Sequence, residues 1–358
     1  MNNTEEILFK LISTGLEESS DYCIPKETDW QDVYKTAKAQ GIVAICLDGL
    51  QKLMLHQKIT IPDSLKMKWI ASDVKQELTY TEQWEAAVSL AKLWHDEGLH
   101  TYVMKGFVLA DMYPKPKMRV FCDLDCYLAS EEGWCADKGN TIVEKTGTAV
   151  DRSYYKNSKF HYKGLTVENH HYLLPIKGSQ KTKRLEKWLR TQMELKKPQY
   201  IGDSYLQLPS EKFNAIYVLA HAQEHFFEKG ILLKHICDWA VVLKSYANKV
   251  DWNEWTQICQ EYGMLSFGYA MSRLANRVCG VAVPFYCPAD DEGDRRLLDD
   301  TLYRNVRVNA KHSDMLARID LVINMFRNSW KFRLFSDTSF MMFCVRRVWG
   351  YLFDKDLA

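Results

Sequence analysis

The chain has 358 residues, enough for about two or three packed units, and its 47% hydrophobic and 26% charged residues are the balance of a globular protein that buries a core. A formal net charge of +1 excludes a global electrostatic draw toward nucleic acid or an anionic membrane, so any polyanion site has to be local. The N-terminal stretch from Met1 to Ser13 lacks a basic region leading into an apolar one, and no run approaches the ~18–20 apolar residues of a membrane span, so the expectation is a cytoplasmic protein without a membrane partner.

The ten cysteines, at 23, 46, 122, 126, 135, 237, 259, 279, 287 and 344, form no C-x-x-C pair and read as free thiols. From Asn3 to about Leu99 the pattern is helical, with Trp30, Val33, Ala37 and Gly41, and again Trp84, Ala87, Val88, Ala91 and Trp94, spaced for one helix face. Pro62-Asp63-Ser64 predicts a turn with an Asp or Ser cap opening a helix. Near His100 the pattern changes. His100 to Met104 is short, β-branched and aromatic between Gly98 and Gly106, which predicts a strand. Phe107 to Met112 then reads as a helix stopped at Pro114 and Pro116, and Arg119 to Leu128 as a second strand.

Glu131 to Lys145 reads as helix, and 149–155, 159–162 and 166–174 as strands, the last two joined by a Lys163-Gly164 hairpin turn. Beyond about Pro198 the spacing is helical again over 211–227, 233–246, 252–262 and much of 299–349.

The chemistry concentrates in the middle. In a strand, Asp123 and Asp125 point to one face while Leu124 anchors the other. Two like charges at that spacing are unfavourable unless a cation bridges them. Magnesium takes hard oxygen ligands from rigid carboxylates, and Glu168 on a later strand is the candidate third. Lys105-Gly106, closing the preceding strand, offers close backbone approach to phosphate together with a cation. Each piece alone also has a plain structural reading: a solvated D-x-D edge, a surface glutamate, a surface lysine.

Taken in order, Val103-Met104-Lys105-Gly106, Tyr113-Pro114-x-Pro116-x-x-Arg119, Asp123-Leu124-Asp125 and Glu168-Asn169-His170-His171-Tyr172 resemble the uncharacterised nucleotidyltransferase family of bacteria. The helical stretch Leu219-x-His221-x-x-x-His225 and Leu233 to Asp238 resembles that family's C-terminal half, and the likeness covers roughly residues 30–260. It implies a nucleotidyltransferase fold related to DNA polymerase β. Asp123 and Asp125 would then be the metal-binding pair, Glu168 the third catalytic carboxylate, and Arg119 a phosphate or acceptor contact. Lys105-Gly106 stands where that superfamily usually has Gly-Ser, so either Lys105 takes over the serine's contact with the triphosphate or nucleotide handling is altered or lost.

Other features have competing readings. His221-x-x-Glu224-His225 matches the inverted zinc-peptidase pattern, with Asp238 or Glu254 as loose third ligands; otherwise the histidines line the cleft, with His170, or pack between helices. Asp238 also sits one turn after Lys234, spaced for an ion pair. The basic, aromatic segment 303–349, with Trp330, Phe332, Phe335 and Trp349, is either a packed amphipathic tail or a place for an RNA backbone.

The combined expectation is an α+β protein: an N-terminal helical region over 1–95, a nucleotidyltransferase-like core with a small mixed sheet over 96–200, and a C-terminal helical region over 201–358. Its activity would be transfer of a nucleoside monophosphate from a nucleoside triphosphate to a small-molecule, protein or RNA acceptor, with Mg2+ or Mn2+. The alternative is a module of the same fold that binds nucleotide or protein without turnover.

Overall fold

The computed structural model describes residues 3–17, 23–176, 180–193, 198–303, 326–337, 339–342 and 344–345. Helices α1 (Asn3–Gly15), α2 (Trp30–Ala39) and α3 (Val43–Met54) form an N-terminal layer. The Asp29 carboxylate caps α2 by accepting from the Asp32 N–H at 3.1 Å. At Gly49 an added Cβ would lie 2.0 Å from the Leu11 carbonyl oxygen, so α1 and α3 touch backbone to backbone. The long α4 (Asp63–Asp96) follows Pro62 directly and has no side-chain cap; Asp63 is already its first helical residue, where its charge favours the helix dipole. Leu65 and Trp69 of α4 pack with the N-terminal layer, whereas Trp84, Ala87, Val88, Ala91 and Trp94, the stripe read from spacing, lie with Leu90 against the sheet.

The sheet is built from β1 (His100–Met104), β2 (Asp123–Ser130), β3 (Gly133–Trp134), β4 (Asn157–Tyr162), β5 (Leu165–His170) and β6 (Leu206–Gln207). Its order is β4-β5-β2-β1-β6, with β3 on the end of β2. Pairs β2–β5 and β1–β6 are parallel and the others antiparallel, so the sheet is mixed, as expected. Lys163 and Gly164 both have positive φ, 47° and 82°, the geometry of a two-residue hairpin turn, and they set β4 opposite β5. Helix α5 (Gly106–Ala110) and a 3-10 turn (Pro116–Met118) join β1 to β2, α6 (Ala136–Glu144) flanks the sheet, and α7 (Gln180–Met193) packs with the C-terminal helices.

Successive side chains of a strand face opposite ways, and here they feed two cores. Val103, Leu124, Cys126, Leu128, Leu165 and Val167 pack with α4, and Met104 and Tyr127 pack toward the C-terminal helices. Those helices are α8 (Glu211–Glu228), α9 (Leu233–Tyr246), α10 (Trp252–Tyr262), α11 (Leu265–Cys279), α12 (Asp291–Tyr303) and α13 (Ser329–Phe335). The result is the expected α+β arrangement, a mixed sheet with helices at both ends. Among the described residues no helix is long and apolar enough to cross a membrane.

Some expectations change. Residues 149–155 do not form a strand; they touch the sheet through one bridge, Asp151 with Lys159. β2 begins at Asp123 rather than Arg119, because the chain is still leaving the Pro116–Met118 turn. α6 starts only at Ala136, after the small β3 strand, and α7 and β6 are additional elements. In the basic aromatic segment, Trp330 packs against Phe226, Phe332 against Phe227 and Phe335 against Phe226, while Trp349 lies outside the described residues.

Leu124, fully buried behind the two aspartates, anchors the strand that carries them. Leu124→Ala is expected to lower stability by about 2–5 kcal/mol in chemical denaturation. The same truncation at Leu55, which is 80% exposed, should change it by less than about 0.5 kcal/mol.

Candidate active site

Asp123 and Asp125 lie on one face of β2, two residues apart, and the parallel pairing with β5 sets Asp125 opposite Glu168 and Asp123 opposite Thr166. His170, two residues beyond Glu168, shares that face. Its Nε2 is 2.9 Å from Asp125 Oδ1 and 3.8 Å from Glu168 Oε2. Among the described residues, Asp125, Glu168 and His170 are the group whose ligand atoms all fall within 4.8 Å of one another. Asp123 lies at the start of the strand and is half-buried. Burial and the neighbouring Asp125 charge push its pKa up, partly offset by Lys105.

Asp125 is buried, which alone would raise its pKa, yet the ammonium of Lys105 and the His170 ring hold it well below the usual carboxylate range. Lys105 follows β1 directly, in a backbone conformation (φ 54°, ψ −119°) that side chains with a Cβ rarely adopt. That conformation carries its Nζ to 2.9 Å from Asp125 Oδ2 and 3.3 Å from His221 Nε2. Glu168 is held from β4: Asn157 Nδ2 donates to Oε2 at 2.5 Å, and Lys159 Nζ lies 2.6 Å from Oε1. Two buried atoms around this cluster, Asn157 Oδ1 and the Tyr217 hydroxyl, have no hydrogen-bond partner. Such unsatisfied groups are rare and are where a ligand or ordered water is expected.

Sequence reading did not single out Asn157 and Lys159, although the signal was present. A two-residue turn at Lys163-Gly164 sets position 162 opposite 165, and hence 159 opposite 168 and 157 opposite 170, as observed.

Arg119 turns away from the carboxylates toward α9. Its guanidinium grips Asp238 with two bonds, Nε to Oδ1 at 2.7 Å and Nη2 to Oδ2 at 2.9 Å, and its Nη1 donates to the Gly106 carbonyl at 3.2 Å. The Tyr113 hydroxyl adds a bond to Asp238 Oδ1 at 2.9 Å. Asp238 is buried, but the arginine outweighs burial and holds its pKa below the ordinary value. Asp238 thus pairs across the fold rather than with Lys234 on its own helix.

His221 and His225 share a face of α8, with ring centroids 4.4 Å apart. The candidate third ligands of a zinc-peptidase site are engaged elsewhere: Asp238 with Arg119, and Glu254 with Lys212. Glu224 lies 3.5 Å from Lys156. Burial and then Lys105 push the pKa of His221 well down and that of His225 down to about 4. His235 is lowered to about 3, by burial and then Lys234, and its Nδ1 accepts the Leu232 N–H at 2.9 Å.

Beside His170 the site opens into a cavity of about 660 Å3, whose walls include Tyr127, Trp134, Arg152, Tyr155, Tyr172 and Arg190. This is the size range of small-molecule sites. The Arg190 guanidinium lies 5.4 Å from the ring centres of both Tyr127 and Tyr172, giving the cavity aromatic and cationic walls.

Fold and site define a mixed α+β protein with an acidic, ligand-capable centre on the face of its sheet. A family model described as an uncharacterised nucleotidyltransferase matches residues 26–280, and the chain belongs to that family. The matched span runs from α2 to the end of α11 and contains every strand of the sheet. No curated protein and no solved structure matches the chain.

Replacing one partner of the buried Arg119–Asp238 pair strands the other. Asp238→Asn is expected to cost about 3–5 kcal/mol in denaturant unfolding, and Tyr113→Phe, which removes one bond to a charged acceptor, about 1.5–3 kcal/mol.

His235 should add to acid sensitivity, beside His221 and His225, whose pKa values are lowered as well. Its folded pKa of about 3 lies below the unfolded value of about 6.5, so the unfolded chain binds more protons between the two. The stability contribution is therefore complete above pH ~6.5 and falls by up to about 1.4 kcal/mol per pH unit as pH drops toward 3. Gln can still accept the Leu232 N–H, so His235→Gln should flatten the stability profile between about pH 6.5 and 4. An unchanged slope would remove His235 from the explanation.

Proposed function

We propose that the chain is a metal-dependent nucleotidyltransferase, on a fold related to DNA polymerase β, that moves a nucleoside monophosphate from a nucleoside triphosphate to a hydroxyl or phosphate acceptor. The acceptor oxygen would form a new bond to the α-phosphorus as the bond to pyrophosphate breaks. The observation that carries this reading is that Asp123, Asp125 and Glu168 share one sheet face, with Asp125 opposite Glu168, beside the Lys105-Gly106 turn, in a chain of nucleotidyltransferase family.

The residues fit a divalent cation, Mg2+ or Mn2+. The Asp125 and Glu168 carboxylates belong to a group whose ligand atoms lie within 4.8 Å of one another, and the unpartnered Asn157 Oδ1 and Tyr217 hydroxyl leave acceptor capacity around the cluster. Asp123, Asp125 and Glu168 would hold the ion, which supplies charge stabilisation of the phosphates and acidifies the acceptor hydroxyl. Glu168 serves as a base for that hydroxyl only where the metal has already acidified it.

Lys105 is the triphosphate's cation in this reading, and the Gly106 backbone permits its close approach. We assign Arg119 to holding the Lys105-Gly106 turn, because its guanidinium is committed to Asp238 and the Gly106 carbonyl. The cavity beside His170 is the place for the nucleobase or the acceptor, small molecule, protein side chain or RNA end. A second reading, a binding module without turnover, is favoured by one feature: the Lys105 contact to Asp125 stands where the superfamily's Gly-Ser would be.

Calorimetric titration of non-hydrolysable ATP, GTP, CTP and UTP analogues with Mg2+ or Mn2+ tests both readings. Metal-dependent binding of one nucleotide is expected, weakened tenfold or more (about 1.4 kcal/mol per tenfold) in Asp123→Asn/Asp125→Asn. Absence of binding to well-folded wild type sinks the nucleotide-site reading. Binding without product from any acceptor class favours the module.

A further inference from the structure

We propose that the cavity beside His170 is the acceptor's subsite, and that it takes a small acceptor whose flat ring carries a phosphate or carboxylate. This rests on the nucleotidyl-transfer reading above and goes beyond it in choosing the acceptor over the nucleobase and in naming the acceptor's chemistry.

Direction along the sheet decides between acceptor and base. The β1–β2 pairing sets Met104 opposite Asp125 and Tyr102 opposite Tyr127. Lys105, one residue past Met104, therefore lies toward the Asp123 end of β2. Tyr127, two residues beyond Asp125 on the same face, belongs to the cavity wall at the other end. In phosphoryl transfer the attacking and leaving oxygens stand roughly in line, on opposite sides of the phosphorus. With the leaving pyrophosphate held at Lys105, the acceptor enters from the Tyr127 side. Its oxygen bonds the α-phosphorus, pyrophosphate departs, and the proton passes to Glu168. That carboxylate is 3.8 Å from the His170 ring, which lines the cavity.

The walls specify a ring. Trp134 and Tyr127 have ring centres 4.5 Å apart, and Tyr155 and Tyr172 6.2 Å apart. The Arg190 guanidinium joins the two pairs, 5.4 Å from the ring centres of both Tyr127 and Tyr172. A chain of aromatic rings around a cavity of about 660 Å3 offers faces on which a flat ring stacks.

They also specify an anion. Arg190 is locked into the wall: its Nε donates to Glu186 Oε1 at 2.7 Å and its Nη2 to the His171 carbonyl at 2.7 Å. Glu186 is buried outside the cavity lining, and its Oε2 accepts the Leu173 and Leu174 N–H groups at 2.9 Å. Among the described residues the Arg190 Nη1 has no hydrogen-bond partner, so one edge of a fixed guanidinium is left for a ligand. The planar fork of arginine matches phosphate and carboxylate. Lys138 and Arg152, the latter steadied by Glu144, bring the lining to three cations. The one carboxylate beside them, Asp137, is 81% exposed. An amine-bearing acceptor would meet the Arg190 charge between the rings, whereas an anion is paired there.

Calorimetric titration of phenyl phosphate and benzoate into the full chain tests this, with phenol and benzylamine as neutral and cationic counterparts. The two anions are expected to bind about tenfold or more tightly than phenol, and benzylamine more weakly still. Arg190→Met should weaken phenyl phosphate about tenfold. Arg152→Gln, at an exposed position whose loss leaves the fold intact, should weaken it about threefold. Phenyl phosphate should still bind when Mg2+ and a saturating non-hydrolysable triphosphate analogue are present. Its exclusion by the bound nucleotide puts the nucleobase in the cavity and overturns the acceptor assignment. Phenol or benzylamine binding as tightly as the anions overturns the anionic class. Anion binding unchanged in both arginine variants overturns the placement in this cavity. Wild type that binds nucleotide but neither anion overturns the subsite and leaves the nucleotide site standing.

Discussion

A carboxylate buried inside a sheet has to be matched by positive charge, and much of the central architecture follows from that requirement at Asp125. Taking a carboxylate out of water costs several kcal/mol even after relaxation. The Asp125 side chain is 5% exposed; the Lys105 ammonium from the end of β1 answers its charge, and its other oxygen hydrogen-bonds the His170 ring of β5. Lys105 in turn contacts His221 on α8. One charge therefore ties together a strand end, a neighbouring strand and a helix from the other half of the chain. It also gives a reason for the backbone at Lys105. A conformation of this kind costs about 1–3 kcal/mol, and it persists here where it aims the ammonium at the carboxylate.

The same device recurs where other elements meet. Arg119 and Asp238, with Tyr113, join the β1–β2 connection to α9. Lys331 of α13 is fully buried, with its Nζ 2.9 Å from the Phe226 carbonyl on α8 and 2.6 Å from Asp300 on α12. Between these joints the packing is apolar, through the large core that runs from α1 to α13. Apolar surfaces tolerate sliding better than paired charges do. Moving either partner of a buried pair strands the other, so each joint has one favourable register. Buried apolar area thus supplies the stability, while the charge pairs fix which surfaces face each other.

This division explains what was legible in the sequence. Elements defined by their own spacing were readable: β1 from His100 to Met104, α9 and α10 at their observed bounds, and the Lys163-Gly164 turn. The period-2 rule put Asp123 and Asp125 on one face. Opposition of Asp125 and Glu168 was harder, because a parallel register between strands 43 residues apart is set by packing, not by a turn. The partner of Arg119 was not readable at all, since Asp238 lies 119 residues along the chain and Lys234 offers a local alternative. Residues 149–155, read as a strand, instead line the cavity with Arg152 and Tyr155, and only Asp151 bonds the sheet. β6, at two residues, is too short to show any period. α7 does carry a stripe, Leu185, Leu189 and Met193, but within a run rich in lysine and arginine that masks it.

The histidines of α8 show how a motif can match in spacing and differ in chemistry. Residues four apart on a helix do place His221 and His225 together. The surroundings, though, are cationic: Lys105 touches His221, and Lys156 reaches Glu224 between them. Burial and those lysines keep both rings neutral. A neutral imidazole at 221 can accept from Lys105 without competing for its charge. A carboxylate there would draw the ammonium away from Asp125, and a cation would repel it. The helix thus presents to the acidic face a group that orients Lys105 and leaves its full charge to the strand, so its contribution to the site is to steer the lysine rather than to gather a metal of its own.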